Sequence, residues 1–234
     1  MLETHKVRLL EKRNVARDTI AFVMEKPANF KYAAGQYVSM IVPSLIKEGP
    51  AECMRSMSFA TAPNEDVLII AMRLGPSLFK QTLKDLPLGE EIELRGPIGH
   101  FVCHDGDEPA VFIAGGIGIA PFRGLILENQ FHNWPRKITL FYSSKKIDDA
   151  SFLTELKNIK HDNFQFIPII TREKNWSGEK EHLSEAMLKK YITDIKKPIY
   201  YIVGLPEMVM EVNYMLNNCG IDQENIRTEL FTGY

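Results

Sequence analysis

The sequence predicts two architectures in series, a small antiparallel β-barrel followed by a parallel α/β domain. In the first hundred residues, short β-rich runs are separated by turn signals at close intervals, as barrels require. From Pro109 onward, longer apolar runs alternate with helical stretches, the pattern of a parallel sheet covered on both faces. Between them, Cys103-His104-Asp105-Gly106-Asp107-Glu108-Pro109 is polar and carries Gly and Pro. A boundary there gives domains at residues 1–104 and 105–234.

The expected barrel strands are Val7 to Leu10, Thr19 to Met24, Gln36 to Val42, Met57 to Thr61, Val67 to Arg73 and Glu91 to Leu94. One helix, Ser77 to Leu86, interrupts them, with Leu78, Leu83 and Leu86 on roughly one face. In the second half the strands are Ala110 to Ala114, Ile138 to Tyr142, Phe164 to Ile170 and Ile199 to Val203.

Composition narrows the function classes. The 234 residues are 45% hydrophobic with a formal net charge of -2, so the basic footprint of a nucleic-acid or anionic-membrane binder is missing. No apolar stretch approaches bilayer length and no signal peptide opens the chain, which reads as cytoplasmic. The three cysteines, Cys53, Cys103 and Cys219, are widely spaced. They form no Cys-x-x-Cys pair for zinc, and a common iron–sulfur cluster needs four thiolates. No metal is expected, and no built-in ferredoxin domain.

Two segments carry chemistry. Ala114-Gly115-Gly116-Ile117-Gly118-Ile119-Ala120-Pro121 follows an apolar strand and opens a helix. Gly115, Gly116 and Gly118 let the backbone approach a pyrophosphate at the helix N-terminus, with Pro121 in the first turn. The spacing is not the standard G-x-G-x-x-G, and a bare strand-to-helix turn would also use glycine. The second segment, Arg55-Ser56-Met57-Ser58, holds a cation and a hydroxyl three residues apart, on opposite faces of an extended strand. Both reach one ligand only at a strand end or bend.

With Gly35-Gln36-Tyr37 before that segment, and Gly75-Pro76-Ser77 and Gly96-Pro97-Ile98-Gly99-His100-Phe101 after it, the sequence resembles the ferredoxin–NADP reductase superfamily along essentially its whole length. The resemblance implies a Greek-key barrel holding FAD and a five-stranded parallel sheet binding NAD(P)H at its carboxyl edge, with hydride passing between nicotinamide and flavin N5. It implies that Arg55 neutralises the FAD phosphates and that Ser58 hydrogen-bonds the N5 region. Ser56, Ala71 and Met72 join the implied cofactor contacts, and Gly75 and Ser77 match the pyrophosphate segment. Met57 replaces the family's flavin-packing Tyr, a thioether against the ring instead.

Farther on, Gly204-Leu205-Pro206-Glu207-Met208 resembles the family's nicotinamide-side motif, with Gly204 and Met208 retained, Val203 in place of Cys and Leu205 in place of Pro. The resemblance makes Glu229, Phe231 and Tyr234 of the terminal run catalytic candidates, Phe231 or Tyr234 covering the flavin. Ser143, Ser144 and Lys145 after the second α/β strand, and Arg172 after the third, are placed for an adenosine 2′-phosphate, a lean to NADPH over NADH. The implied acceptor is a separate ferredoxin, flavodoxin or oxygenase component. An NAD(P)H:flavin reductase and a non-catalytic nucleotide-binding subunit are the rival readings.

Overall fold

The computed structural model describes residues 2–232 and contains two sheets. The first is antiparallel: β1 (Thr4–Ala16), β2 (Thr19–Glu25), β3 (Tyr37–Ile41), β4 (Met54–Ser58), β5 (Val67–Arg73) and β6 (Glu91–Ile98), in the order β4-β3-β6-β1-β2-β5. A bridge from Phe59 to Ile70 joins the chain just past β4 to β5, and Ala60 N donates to Ile69 O at 2.8 Å. The two edges therefore meet, and the sheet closes into a barrel. The last strand, β6, lies between β1 and β3, the long return of a Greek key. Phe22, Met24, Met40, Phe59 and Leu94 fill the interior.

A short helix α1 (Pro50–Cys53) precedes β4, and α2 (Leu78–Asp85) lies between β5 and β6. The expected helix is present, but its core face differs. Phe79 and Leu83, four residues apart, are buried, while Leu78 stays 44% exposed in the first turn.

The second sheet contains β7 (Ala110–Gly115), β8 (Ile138–Ser144), β9 (Phe164–Ile170), β10 (Ile199–Gly204) and β11 (Ile226–Leu230), in the order β11-β10-β7-β8-β9. Every pairing is parallel. Helices α3 (Ile119–Phe131) and α4 (Leu153–Asn158) supply Leu125, Ile126 and Leu156 to one face. On the other, α5 (Glu185–Tyr191) and α6 (Pro206–Asn218) supply Leu188, Val209 and Val212. Covering on both faces explains why β7 and β8 read as nearly unbroken apolar runs. The chain runs outward from β7 through β9, then returns to β10 on β7's other side. The strand order thus reverses between β7 and β10, where such sheets bind ligands at their carboxyl ends.

Helix α3 also packs against the barrel. An added Cβ at Gly124 would lie 2.6 Å from Thr61 O, so only glycine allows that approach. Arg123, 7% exposed, donates from Nη1 to Ala60 O at 2.6 Å and pairs with Glu65 at 3.2 Å and Glu155 at 2.7 Å. Ala60, Ile69 and Ala71 of the barrel share one apolar cluster with Phe122 and Leu125 of α3. These contacts fix the carboxyl edge of the second sheet against one end of the barrel.

Candidate active site

A cleft of about 390 Å³ opens at the reversal point, lined from the sheet edge by Gly115, Gly116, Ser143, Ser144 and Lys145. The loop after β9 adds Thr171, Arg172 and His182, and the start of α6 adds Glu207, Met208 and Glu211. The barrel contributes Arg17, Thr19 and Arg73. Both halves of the chain thus build one cavity.

The glycines here have separate reasons. A Cβ at Gly115 would overlap Met208 Sδ, and one at Gly204 would lie 2.8 Å from the same sulfur. Met208 therefore seals the floor between β7 and β10 because neither strand end carries a side chain. A Cβ at Gly118 would lie 2.5 Å from Val203 O, which lets the start of α3 press onto β10. Gly116 adopts φ +54°, and nothing among the described residues lies within 4 Å of its missing Cβ. That open space beside the amides of Gly116, Ile117 and Gly118, in a turn into α3 that has no side-chain cap, has the shape and polarity a pyrophosphate needs. Pro121, buried in the first turn, packs behind it.

At the cleft's other end, Arg172 N donates to Lys145 O at 2.8 Å and Thr171 N to Ser144 O at 3.0 Å. These bonds bring Ser143, Ser144, Lys145 and Arg172 to one wall. If that wall receives a 2′-phosphate, Lys145→Glu should raise KM for NADPH roughly tenfold more than for NADH, since a carboxylate repels the phosphate and tolerates a 2′-hydroxyl. The ratio of the two kcat/KM values reads this out, and an unmoved ratio makes the wall solvated surface.

On the barrel, Arg55 is held by carbonyls, donating from Nη1 to Ala51 O and to Met54 O at 2.8 Å, with its guanidinium 5.3 Å from the Phe79 ring. Ser58 is buried at 9% exposure at the end of β4, Ser56 is exposed and Met57 half-buried. Of the two arrangements that let Arg55 and Ser58 reach one ligand, a strand end or a bend, the strand end is the one present, since β4 stops at Ser58 and the chain then bridges β5. The Ser77 hydroxyl caps α2, accepting from Lys80 N at 3.4 Å, and Gly75 O accepts from Gln81 Nε2 at 2.7 Å. Ala71 and Met72 are both buried in β5. Guanidinium, helix start and hydroxyls suit the phosphates of FAD.

The terminal run forms the edge strand β11, which places Glu229 beside Val203. Its Oε2 is buried with no hydrogen-bond partner among the described residues, and burial pushes the carboxyl up to about 7. Arg227, two residues earlier on the same face, stacks 5.5 Å from the Tyr201 ring. Phe231 N donates to Gly204 O at 2.9 Å, holding that residue at the cleft end of β10. Tyr234 lies outside the described residues. Sequence reasoning missed Arg17, Thr19, Arg73, Asp149, Thr171, His182, Glu207 and Glu211 as cleft residues. Only Glu207 lay within a motif already singled out, and nothing local marks the others.

The family model for an oxidoreductase FAD-binding domain matches residues 6–103, and that for an oxidoreductase NAD-binding domain matches residues 112–213. Among solved structures, a cytochrome P450 reductase from Amycolatopsis has a TM-score of 0.86 at 24% identity, covering 100% of this chain and 72% of that one. A ferredoxin NADP+ reductase from Neisseria gonorrhoeae, solved with FAD and NADP, has a TM-score of 0.85 at 21% identity, covering 98% and 99%. Curated relatives include one component protein of the Na(+)-translocating NADH-quinone reductase. Its Methylococcus capsulatus form is 25% identical over 94% of this chain and 66% of its own length, its Marinomonas form 29% identical over 68% and 41%. The chain thus spans less than two thirds of the length of these relatives. Fold and domain matches define a two-domain flavoprotein reductase that uses FAD and a nicotinamide co-substrate. The chain is an FAD-dependent NAD(P)H oxidoreductase built from these two domains, and it shares its fold with ferredoxin–NADP reductase-like structures. Among the described residues, no helix is long and apolar enough to cross a membrane, and no cluster of three His, Cys, Asp or Glu is placed to hold a metal.

Proposed function

We propose that the protein draws reducing equivalents from NAD(P)H in the shared cleft and delivers them to a separate redox protein, a ferredoxin, a flavodoxin or an oxygenase component, in the cytoplasm. The observation that carries this reading is the cleft itself, built at the sheet's reversal point from both halves, with the Gly116 cradle facing the barrel. FAD, when bound, supplies the hydride acceptor and the outlet for electrons. The protein's residues supply position. Amides at Gly116 to Gly118 hold the coenzyme pyrophosphate, and Ser143, Ser144, Lys145 and Arg172 hold its adenosine end. Gly204 and Met208 floor the nicotinamide side. Arg55, with Gly75 and Ser77 at the start of α2, anchors the FAD phosphates. Ser58 hydrogen-bonds the flavin edge, and Phe231 or Tyr234 covers it until nicotinamide enters.

An absorption spectrum of the purified protein, before and after anaerobic addition of NADH or NADPH, tests this. The expected result is a yellow protein bleached by stoichiometric coenzyme, faster with NADPH. A colourless protein that oxidises NAD(P)H only with added free flavin would make flavin a diffusible substrate. A protein inert with both coenzymes overturns the reading.

A further inference from the structure

The hairpin joining β1 to β2 turns on only two residues, Arg17 and Asp18, the latter at φ +51°. Its tip is fixed by three hydrogen bonds. Thr19 Oγ1 donates to Arg17 O at 3.1 Å, Leu74 N to Asp18 O at 2.7 Å, and Arg17 N to Asp148 O at 2.6 Å. The last crosses from the barrel to the segment just after β8. The backbone of Arg17 is therefore anchored on the α/β half independently of its side chain.

The side chain is held far more loosely. Its Nη2 lies 3.3 Å from Asp148 Oδ2 and its Nε 3.5 Å from Asp149 Oδ1, two carboxylates touched once each rather than one gripped by the fork. Arg17 is 44% and Asp148 77% exposed, so that pair contributes little, and Asp149, 20% exposed, is met by Nε alone at 3.5 Å. Arg17 and Asp149 both line the cleft, with Gly116, Arg73 and Lys145. A phosphate offers what these carboxylates do not, two oxygens spaced for the guanidinium fork.

We propose that Arg17 is a coenzyme-binding residue supplied by the barrel, its guanidinium exchanging Asp149 for a phosphate oxygen of the nicotinamide dinucleotide. The inference rests on the cleft being the coenzyme site. In this arrangement Asp149 is the coenzyme's competitor for Arg17, and a bound dinucleotide ties the FAD-binding half to the half that carries most of its own contacts. An ion pair that served only to latch the two halves would respond alike to loss of either partner. A competed pair responds in opposite directions.

The experiment titrates NADP+ into oxidised, FAD-loaded protein and reads the dissociation constant from the flavin difference spectrum. R17M should raise Kd roughly five- to tenfold, the loss of one charge-assisted contact in a partly solvated site. R17K should fall between R17M and the unaltered protein, because it keeps the charge and loses the fork. D149N should lower Kd about twofold or more. FAD content should stay unchanged in all three. Weaker binding in both R17M and D149N reduces the pair to a latch and overturns the inference, as does R17M at the unaltered Kd while K145E is weakened. Failure of both R17M and K145E to change Kd would remove the cleft reading itself.

Discussion

Arg55→Ala is expected to purify with little FAD, its affinity reduced roughly tenfold or more, while remaining folded. Among the described residues the guanidinium meets the backbone carbonyls of Ala51 and Met54 and the face of Phe79. Its removal leaves no buried carboxylate unpaired and opens no hole in the barrel interior. The loss falls on the ligand, because a charge-assisted contact to phosphate contributes about 1.5–3 kcal/mol. Two of the fork's directions are already set by the carbonyls, so the cation is oriented before FAD arrives and its ordering cost is small. Arg55→Lys should recover part of the loss, having charge without the planar fork. The ratio of flavin to protein absorbance measures content, and far-ultraviolet circular dichroism verifies the fold. Full occupancy in Arg55→Ala would move the phosphate site elsewhere.

What the sequence made legible follows from where side chains are buried. Strands β2, β5, β7, β8 and β10 are apolar on most positions because both faces are covered or the interior is tightly filled, so each appears as a run. The edge strand β11 reads Ile-Arg-Thr-Glu-Leu, with Thr228 and Leu230 exposed, and local pattern alone presents it as a terminal tail. Most of β1's 13 residues face solvent, so only its centre is visible in the sequence. At the site, the glycine run was readable because backbone geometry restricts residue type. Arg17 and Arg73 were not. They come from a hairpin tip and a strand end that approach the α/β half only after the barrel closes and α3 docks on it, and a surface arginine in sequence has no mark of its eventual neighbours. Met208 was singled out by motif alone. Its physical role, filling the space that Gly115 and Gly204 leave, emerges only when β7 and β10 are paired.

Glu229→Gln is expected to change both the stability and the pH response of the reductase. The carboxyl sits at the cleft end of β11 with one oxygen buried and without a partner among the described residues, and burial raises it from 4.5 to about 7. The folded state thus binds this proton more tightly than the unfolded chain, and the difference destabilises the fold as pH rises from about 4.5 to about 7. Glutamine matches the neutral form. At pH 4 the variant and the unaltered protein should melt together, whereas at pH 8 the variant should be more stable by about 1–3 kcal/mol, the span allowing for partial solvation. Catalysis should respond in the same interval. A carboxyl changing charge beside Val203 and Gly204, next to the proposed nicotinamide position, imposes a titration near neutrality on the rate of flavin reduction. Stopped-flow reduction by excess NADPH between pH 5.5 and 8.5 should show that step in the unaltered protein and a flat profile in Glu229→Gln. If the melting difference appears but the step persists, Glu229 is a buried acid without a part in turnover. If neither appears, the side chain is solvated, and the terminal strand brings no titrating group to the site.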